Sequence, residues 1–322
     1  MFSSSRDMLD IMKSQRPFRA NILALFFAAS LIGCSRIAAP TQQPSSEIAV
    51  LTKACDQGQS VSCISLGTKY ASGDGVAKEG ARAVTLFQRA CDGGSARGCS
   101  VLGLMYETGN GVTQDVARAV TLYRGACDSG EGLGCAYLGE LYEAGKRITK
   151  DQASAVTLYQ QGCDRGNALG CRELGRVYGN GIGVVKDEVR AAKLYQGACD
   201  GGDAGSCFTL GISYETGRGV ARDQAHANEL YQRACDGDEY SACTVLAGSY
   251  SAGEGVAKNQ ARANELLQRA CDGGEGGACE VLGLFYEAGA SVPKDTLHAR
   301  ALYQKACGLG DRKACDSAAR LH

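Results

Sequence analysis

Seventeen cysteines dominate the chemistry open to this 322-residue chain. A cysteine thiol can ligate zinc, act as a nucleophile, carry a lipid or close a disulfide, and its spacing and surroundings decide which. Sixteen of them form eight C-x7-C pairs that recur every 36 residues: Cys55/Cys63, Cys91/Cys99, Cys127/Cys135, Cys163/Cys171, Cys199/Cys207, Cys235/Cys243, Cys271/Cys279 and Cys307/Cys315. Zinc sites want cysteines about two to four residues apart, or cysteine mixed with histidine. Here only three histidines occur; His226 and His298 share one repeat position on a polar helix face, and His322 is the last residue. The residues therefore point to no metal and no cofactor. Even numbers at regular spacing indicate a disulfide framework and an oxidising compartment.

A second candidate chemistry is Ser291-Val292-Pro293-Lys294, the one S-x-x-K in which a lysine could activate a serine. Its usual companions, S-D-N and K-T-G, are absent, as are H-E-x-x-H, a P-loop and C-x-x-C-H. Lys294 also belongs to a repeated basic position with Lys78, Lys150, Lys186, Arg222 and Lys258. The expectation is a structural role and no catalytic residue.

Cys34, the odd cysteine, follows a basic segment (Lys13, Arg16, Arg19) and the apolar run Asn21 to Ile32. That run is too short for a membrane span, which takes ~20 residues, but suits a secretory signal. Leu31-Ile32-Gly33-Cys34 resembles the bacterial lipobox, which implies that residues 1–33 are removed and that Cys34 is acylated. Ser35, where an aspartate would mark inner-membrane retention, implies an outer-membrane lipoprotein, its repeat domain in the periplasm or on the cell surface. Residues 34–46 then form the lipidated cysteine and a flexible tether. Removing 1–33 takes away four basic and two acidic residues and leaves a net charge of −3. Such a chain lacks the basic face that nucleic acid requires, and touches membrane only through its lipid.

The 36-residue period requires stacked units that bury their apolar faces against their neighbours. In residues 96–131, Cys99, Leu102, Gly103 and Tyr106 form one stripe of a first helix, A. Gly109 supplies a left-handed stop, Asp115 suits the start of a second helix, B, and Ala119, Leu122, Tyr123 and Ala126 repeat the stripe up to Cys127. A second glycine stop, Gly130, recurs as Gly58, Gly94, Gly166, Gly202, Gly274 and Gly310, with Asp238 in the remaining unit. Tyrosine holds the end of helix A in every unit from Tyr70 to Tyr286, and leucine holds the position four earlier, from Leu66 to Leu282.

The L-G-x-x-Y and G-x-G-V signatures closely resemble the Sel1-like repeats, relatives of the tetratricopeptide repeats, and the C-x7-C pairs resemble their cysteine-rich Hcp branch. The resemblance covers residues 47–322 and implies an all-α, right-handed αα-repeat solenoid, disulfide-stapled, with seven full units between two half units. The turns at Gly145-Lys146-Arg147-Ile148 and Gly289-Ala290-Ser291-Val292 lack the second glycine and are expected to differ in shape. The end of helix B lies near the start of both the next helix A and its own, so two disulfide patterns are open. Local pairing uses all sixteen cysteines; the staggered pattern, Cys63 to Cys91 onward, strands Cys55 and Cys315, so local pairing is expected. Each such nine-residue ring contributes about 2.6 kcal/mol on loop-closure grounds.

On helix A the positions one and five after the cysteine vary while the core positions do not. Ser100, Leu104, Glu140, Arg172, Arg176, Phe208 and Ile212 are the candidate contacts of a groove that binds a protein or peptide segment, in a chain expected to be a monomer. The Hcp resemblance also implies an alternative, binding or hydrolysis of β-lactams or peptidoglycan fragments. The residues themselves favour a non-enzymatic adaptor.

Overall fold

A computed structural model describes residues 46–145 and 148–321; the expected signal segment, Cys34 and nearly all of the tether lie outside these residues. The described residues form sixteen α-helices and no strand. In chain order they are α1 (Ser46–Asp56), α2 (Ser60–Ser72), α3 (Gly80–Asp92), α4 (Ala96–Thr108), α5 (Val116–Asp128), α6 (Gly132–Ala144), α7 (Gln152–Asp164), α8 (Ala168–Asn180), α9 (Glu188–Asp200), α10 (Ala204–Thr216), α11 (Gln224–Asp236), α12 (Tyr240–Ala252), α13 (Gln260–Asp272), α14 (Gly276–Ala288), α15 (Thr296–Gly308) and α16 (Arg312–Arg320). Even numbers are A helices and odd numbers B helices. Each packs on the helix before it and the helix after it, as a solenoid requires. In addition α4 touches α6 and α6 touches α8, so the A side is the inner side of this stretch.

Local chemistry sets the helix ends. The side chains of Asp115, Asp151, Asp187, Asp223, Asn259 and Asp295 cap B helices by accepting from the backbone N–H three residues on. The backbone N–H of the same residue donates to the carbonyl of the last tyrosine of helix A, as in Asp115 to Tyr106 at 2.9 Å, and so closes the turn. Asp238 takes a φ of 64° in the glycine-stop position, as its short polar side chain allows. Ser291 corrects the expectation of a differently shaped turn in the last full unit. Its φ of 73° matches that of Gly111 in the equivalent place, so a serine accepts the left-handed conformation and the turn keeps its form. The corresponding turn of the third unit falls partly outside the described residues.

Within a unit, the aromatic ring of helix B lies against the glycine that follows the recurring leucine of helix A. A Cβ added to Gly67, Gly103, Gly139, Gly175, Gly211 or Gly283 would stand 2.5–3.0 Å from the ring of Phe87, Tyr123, Tyr159, Tyr195, Tyr231 or Tyr303. Real Cβ atoms essentially never stand under 3.0 Å, so at five of these sites a larger residue would force something to shift, and at Gly175 the contact would be tight. The sixth unit changes both partners together: Ala247 replaces the glycine and Leu267 the ring, and both stay buried. Where a glutamate follows the helix A tyrosine, the ring carries a hydroxyl that donates to it: Tyr123 to Glu107 (2.9 Å), Tyr159 to Glu143 (2.7 Å), Tyr231 to Glu215 (2.5 Å) and Tyr303 to Glu287 (2.7 Å). Burial first, then the neighbouring carboxylate, pushes each of these phenols well above its ordinary pKa and keeps it a donor.

Eight disulfides join each B helix to the next A helix: Cys55–Cys63, Cys91–Cys99, Cys127–Cys135, Cys163–Cys171, Cys199–Cys207, Cys235–Cys243, Cys271–Cys279 and Cys307–Cys315. Their Cα–Cα distances are 4.4–4.8 Å, and the pairing is the local one throughout. The pairs are the expected ones, and burial separates them into core and half-buried staples. On the A helices Cys135, Cys207, Cys243 and Cys279 are 0–3% exposed, and so are their partners Cys127, Cys199, Cys235 and Cys271. The physical reason is the helix stripe: the A-helix cysteine stands in line with the leucine and glycine that face helix B, so its sulfur lies between the helices. These four staples and Cys55–Cys63, at 1% and 2%, are core, and no partner or substrate reaches them from the surface. Cys91, Cys99, Cys163, Cys307 and Cys315 are half-buried.

Ion pairs tie successive B helices: Arg89 to Asp56 (3.0 Å), Arg233 to Asp200 (3.0 Å), Arg269 to Asp236 (2.9 Å) and Lys305 to Asp272 (2.8 Å). In the middle units the basic position is Gly125, Gln161 or Gly197, which cannot form this tie.

The glycine–ring contact generates a double-mutant test. Gly103→Ala should cost ~1–3 kcal/mol by overpacking against Tyr123. Combining it with Tyr123→Leu, the pairing the sixth unit already uses, should cost less than the sum of the two single changes. Urea denaturation of the four proteins measures the coupling, and strictly additive losses would show that ring and glycine do not limit each other.

Replacing the central pair Cys163 and Cys171 by alanines should cost roughly 2–5 kcal/mol. Hydrogen exchange should show the lost protection confined to the units on either side. A uniform loss from residue 47 to 321 would instead mean that the array unfolds as one block.

Candidate functional site

The A-helix face carries the residues that vary between units, and the structure divides the predicted set into three kinds. Ser100 does not face a ligand: it is 0% exposed and its hydroxyl donates to the Ala96 carbonyl at 3.2 Å. Its helix, α4, touches the next A helix, α6. Leu104, Phe208 and Ile212 are half-buried with one side on the core. Glu140 is half-buried, and it raises the Tyr137 phenol, which burial first and this carboxylate second push up to about 12.

Arg172 and Arg176 belong to a charged network that spans three units. Arg172 Nε lies 3.2 Å from Glu173 Oε1, and one of its Nη groups 2.8 Å from Asp203 Oδ2. Arg176 Nε lies 2.7 Å from Glu173 Oε2, and its Nη2 donates to Glu143 Oε2, which also accepts from Tyr159. Glu173 is only 4% exposed, so the two guanidinium groups together satisfy a buried carboxylate. Burial alone would raise the Glu143 carboxyl; the hydrogen bonds from Arg176 and Tyr159, with the Arg176 charge, outweigh it and hold the group below the usual carboxylate range. Among the candidates, then, the structure brings Arg172 and Arg176 together and holds them between acidic partners. Sequence reasoning passed over Glu173, Glu143 and Asp203. The signal was present: Glu173 is the lone charge in a column otherwise made of Ser65, Val101, Tyr137, Thr209, Val245 and Val281.

The polar column that contains both histidines packs on the helix A tyrosines. Arg82, Arg118 and Arg190 lie 4.1–4.4 Å over the rings of Tyr70, Tyr106 and Tyr178, and His226 and His298 stand edge-on to Tyr214 and Tyr286. Where Ser154 interrupts the column, Tyr142 accepts from Arg124 at 2.7 Å instead. Among the described residues, no group of three or more His, Cys, Asp or Glu side chains could hold a metal ion. Ser291 sits at the left-handed position of a turn, and the Lys294 stem follows it beside Gly289.

With this geometry in hand, the comparison with known families is specific. The Sel1 repeat matches residues 60–95, 96–131, 132–167, 168–203, 204–239, 241–275 and 277–311. The chain is a member of the Sel1-repeat family. Sel1-repeat proteins are in general scaffolds for protein interaction. A search of curated proteins finds no match. Among solved structures, this Sel1-repeat chain is similar to c5321, a protective antigen of uropathogenic Escherichia coli displaying an SLR fold, with 28% identity over 85% of this chain and a TM-score of 0.61. The match spans 59% of that antigen's length. A Sel1 repeat protein from Oxalobacter formigenes is 25% identical, with 85% of this chain and 80% of that one covered and a TM-score of 0.64. The cysteine-rich protein B (HcpB) of Helicobacter pylori is 30% identical over 41% of this chain and 96% of its own, with a TM-score of 0.36.

The central network gives a pH prediction. A carboxyl whose folded pKa is depressed contributes stability that is present above its unfolded pKa, near 4.3 for glutamate, and is lost as pH falls through the lower folded value. Urea midpoints of the wild type should therefore drop between pH 5 and pH 3. Arg176→Gln should start lower at pH 7 and drop less over the same interval. Parallel pH profiles for the two proteins would remove Arg176 as the cause of the Glu143 shift.

Proposed function

We propose that this Sel1-repeat chain is a lipid-anchored scaffold of the bacterial outer membrane that binds a protein or peptide segment on its A-helix face. The observation that carries the reading is the contrast within each A helix. The leucine, glycine and tyrosine columns stay nearly constant, while the adjoining half-buried face changes from Leu104 to Arg176 to Ile212. Packing explains the constant columns. It does not require the other face to present such different chemistries, and a binding surface does.

Eight disulfides favour an oxidising compartment over the cytosol. Among the described residues no helix is long and apolar enough to cross a membrane, so the attachment we propose rests on Cys34 alone. Its motif supports acylation and export, with the solenoid in the periplasm or on the cell surface. The adaptor reading needs no catalytic group.

Two measurements test it. Cys34→Ser should abolish membrane fractionation and leave an unprocessed precursor or a soluble protein; normal fractionation at the processed mass would remove the anchor. Photo-crosslinking side chains placed at Glu140 and Ile212 on the A face should capture a protein in intact cells. The same probes at Gln160 and Gln196 on B helices should not, and equal capture from both sides would remove the A-face assignment.

A further inference from the structure

The A-helix face has one stretch unlike the rest. From α10 to α14 the side chains form parallel rows, because equivalent positions of successive A helices line up across the repeats. On α10, Phe208, Ile212 and Glu215 follow at intervals of four and three and share one face. On α14 the matching positions hold Glu280, Leu284 and Glu287. The helix between them, α12, has only small side chains there, and at its centre is Gly248, exposed, with no atom within 4 Å of where a Cβ would stand. The result is a trough: a low floor on α12, an apolar wall of Phe208 and Ile212 on one side, and Leu284, 47% exposed, on the other.

The uncompensated charge along this trough is negative. Glu215 accepts from Tyr231 and Glu287 pairs with Arg320 at 2.6 Å. Among the described residues neither Glu215 nor Glu280 has an ion-pair partner within 4 Å, and no lysine or arginine occupies a groove position of α10, α12 or α14. This is the reverse of the central stretch, where Arg172 and Arg176 are held by Glu173, Asp203 and Glu143. An apolar trough rimmed by carboxylates is complementary to a segment that brings both bulky apolar and cationic side chains.

We propose that the trough between α10 and α14 is the docking site for a basic, apolar peptide segment of a partner protein. Its apolar side chain settles over Gly248 between Ile212 and Leu284, and its lysines or arginines meet Glu215 and Glu280. An extended segment rises ~3.3 Å per residue, so about six residues suffice to carry one apolar side chain flanked by cationic ones. The inference rests on the A-face reading above and adds to it the place and the chemistry of the partner.

Selection of a random octapeptide library on the intact, oxidised chain tests it. Enriched peptides should combine lysine or arginine with a large apolar residue. A synthetic copy of the leading peptide should bind at least tenfold more weakly to Gly248→Tyr, in which the trough is filled, and about threefold more weakly to Glu215→Gln or Glu280→Gln. Its affinity should fall as salt rises from 50 to 500 mM. Thr68→Tyr, the same kind of change on α2, should leave binding unchanged. All four changes are at half-buried or exposed sites, and far-UV circular dichroism checks that each variant is folded. Peptides without basic residues, or peptides that bind Gly248→Tyr as well as the wild type, would overturn this inference and leave the A-face reading standing. Peptides that tolerate every A-face change, or no enrichment at all, would overturn both.

Discussion

The contact of an aromatic ring with a bare backbone fixes the spacing of this array. Helices A and B of one unit approach until the ring of Tyr123 or its equivalent meets the glycine of helix A, where a larger residue would crowd it. The rest follows from that distance. The ring fills the space between the helices, the leucine and alanine columns close around it, and the tyrosine hydroxyl reaches the surface of helix A just where Glu107, Glu143, Glu215 or Glu287 can accept from it. The exchange to Ala247 and Leu267 in the sixth unit shows that volume is kept across the pair and not at either residue alone.

Much of this was legible in the sequence because a repeat prints its packing rules several times over. The period, the helix stops at Gly109 and Gly130, the aspartate at the start of helix B and the local cysteine pairs each recur often enough to separate rule from accident. What was hidden depends on the third dimension of the stack. Ser100 and Arg172 occupy the same column, yet one is sealed against its neighbours and the other reaches across to Asp203. A column assigns a direction from the helix axis. It does not say how near the next A helix comes, and that nearness decides whether a side chain lines a groove or fills a gap. The cysteines show the same limit: spacing paired Cys135 with Cys127 and Cys243 with Cys235, but not how completely the helices would close over them. Glu173 escaped for a like reason, since its burial exists only once two arginines from its own helix fold over it. Ser291 was misjudged in the opposite sense: absence of glycine suggested a new turn, but the local hydrogen bonds of the turn were enough to hold a serine at positive φ.

Electrostatic ties between units change sides along the chain. Near both ends, B helices are joined by Arg89, Arg233, Arg269 and Lys305 reaching back to aspartates. In the middle those positions are glycine or glutamine, and the ties move to the A helices as the Glu143–Arg176–Glu173–Arg172–Asp203 chain. Exposed pairs of the first kind contribute little, commonly less than about 1 kcal/mol each. The second kind neutralises a buried carboxylate, so removing one member leaves a charge without compensation. The centre of the array is therefore the part most sensitive to a change in any one charge, and the part where the A helices are held most firmly against each other.

The disulfides have a consequence for a chain under tension. Each closes a loop across eight residues, from the end of one B helix to the start of the next A helix, and none spans a whole unit. Pulled from its ends, the array can lengthen only through the stretches outside those loops, about 28 of every 36 residues, or roughly 95 Å per period at full extension. What resists the pull between one staple and the next is the ring lodged against glycine, together with the short turn that follows it. The covalent bonds thus divide the protein into links of a chain that yield separately, and each link can close again around a helix junction that never came apart.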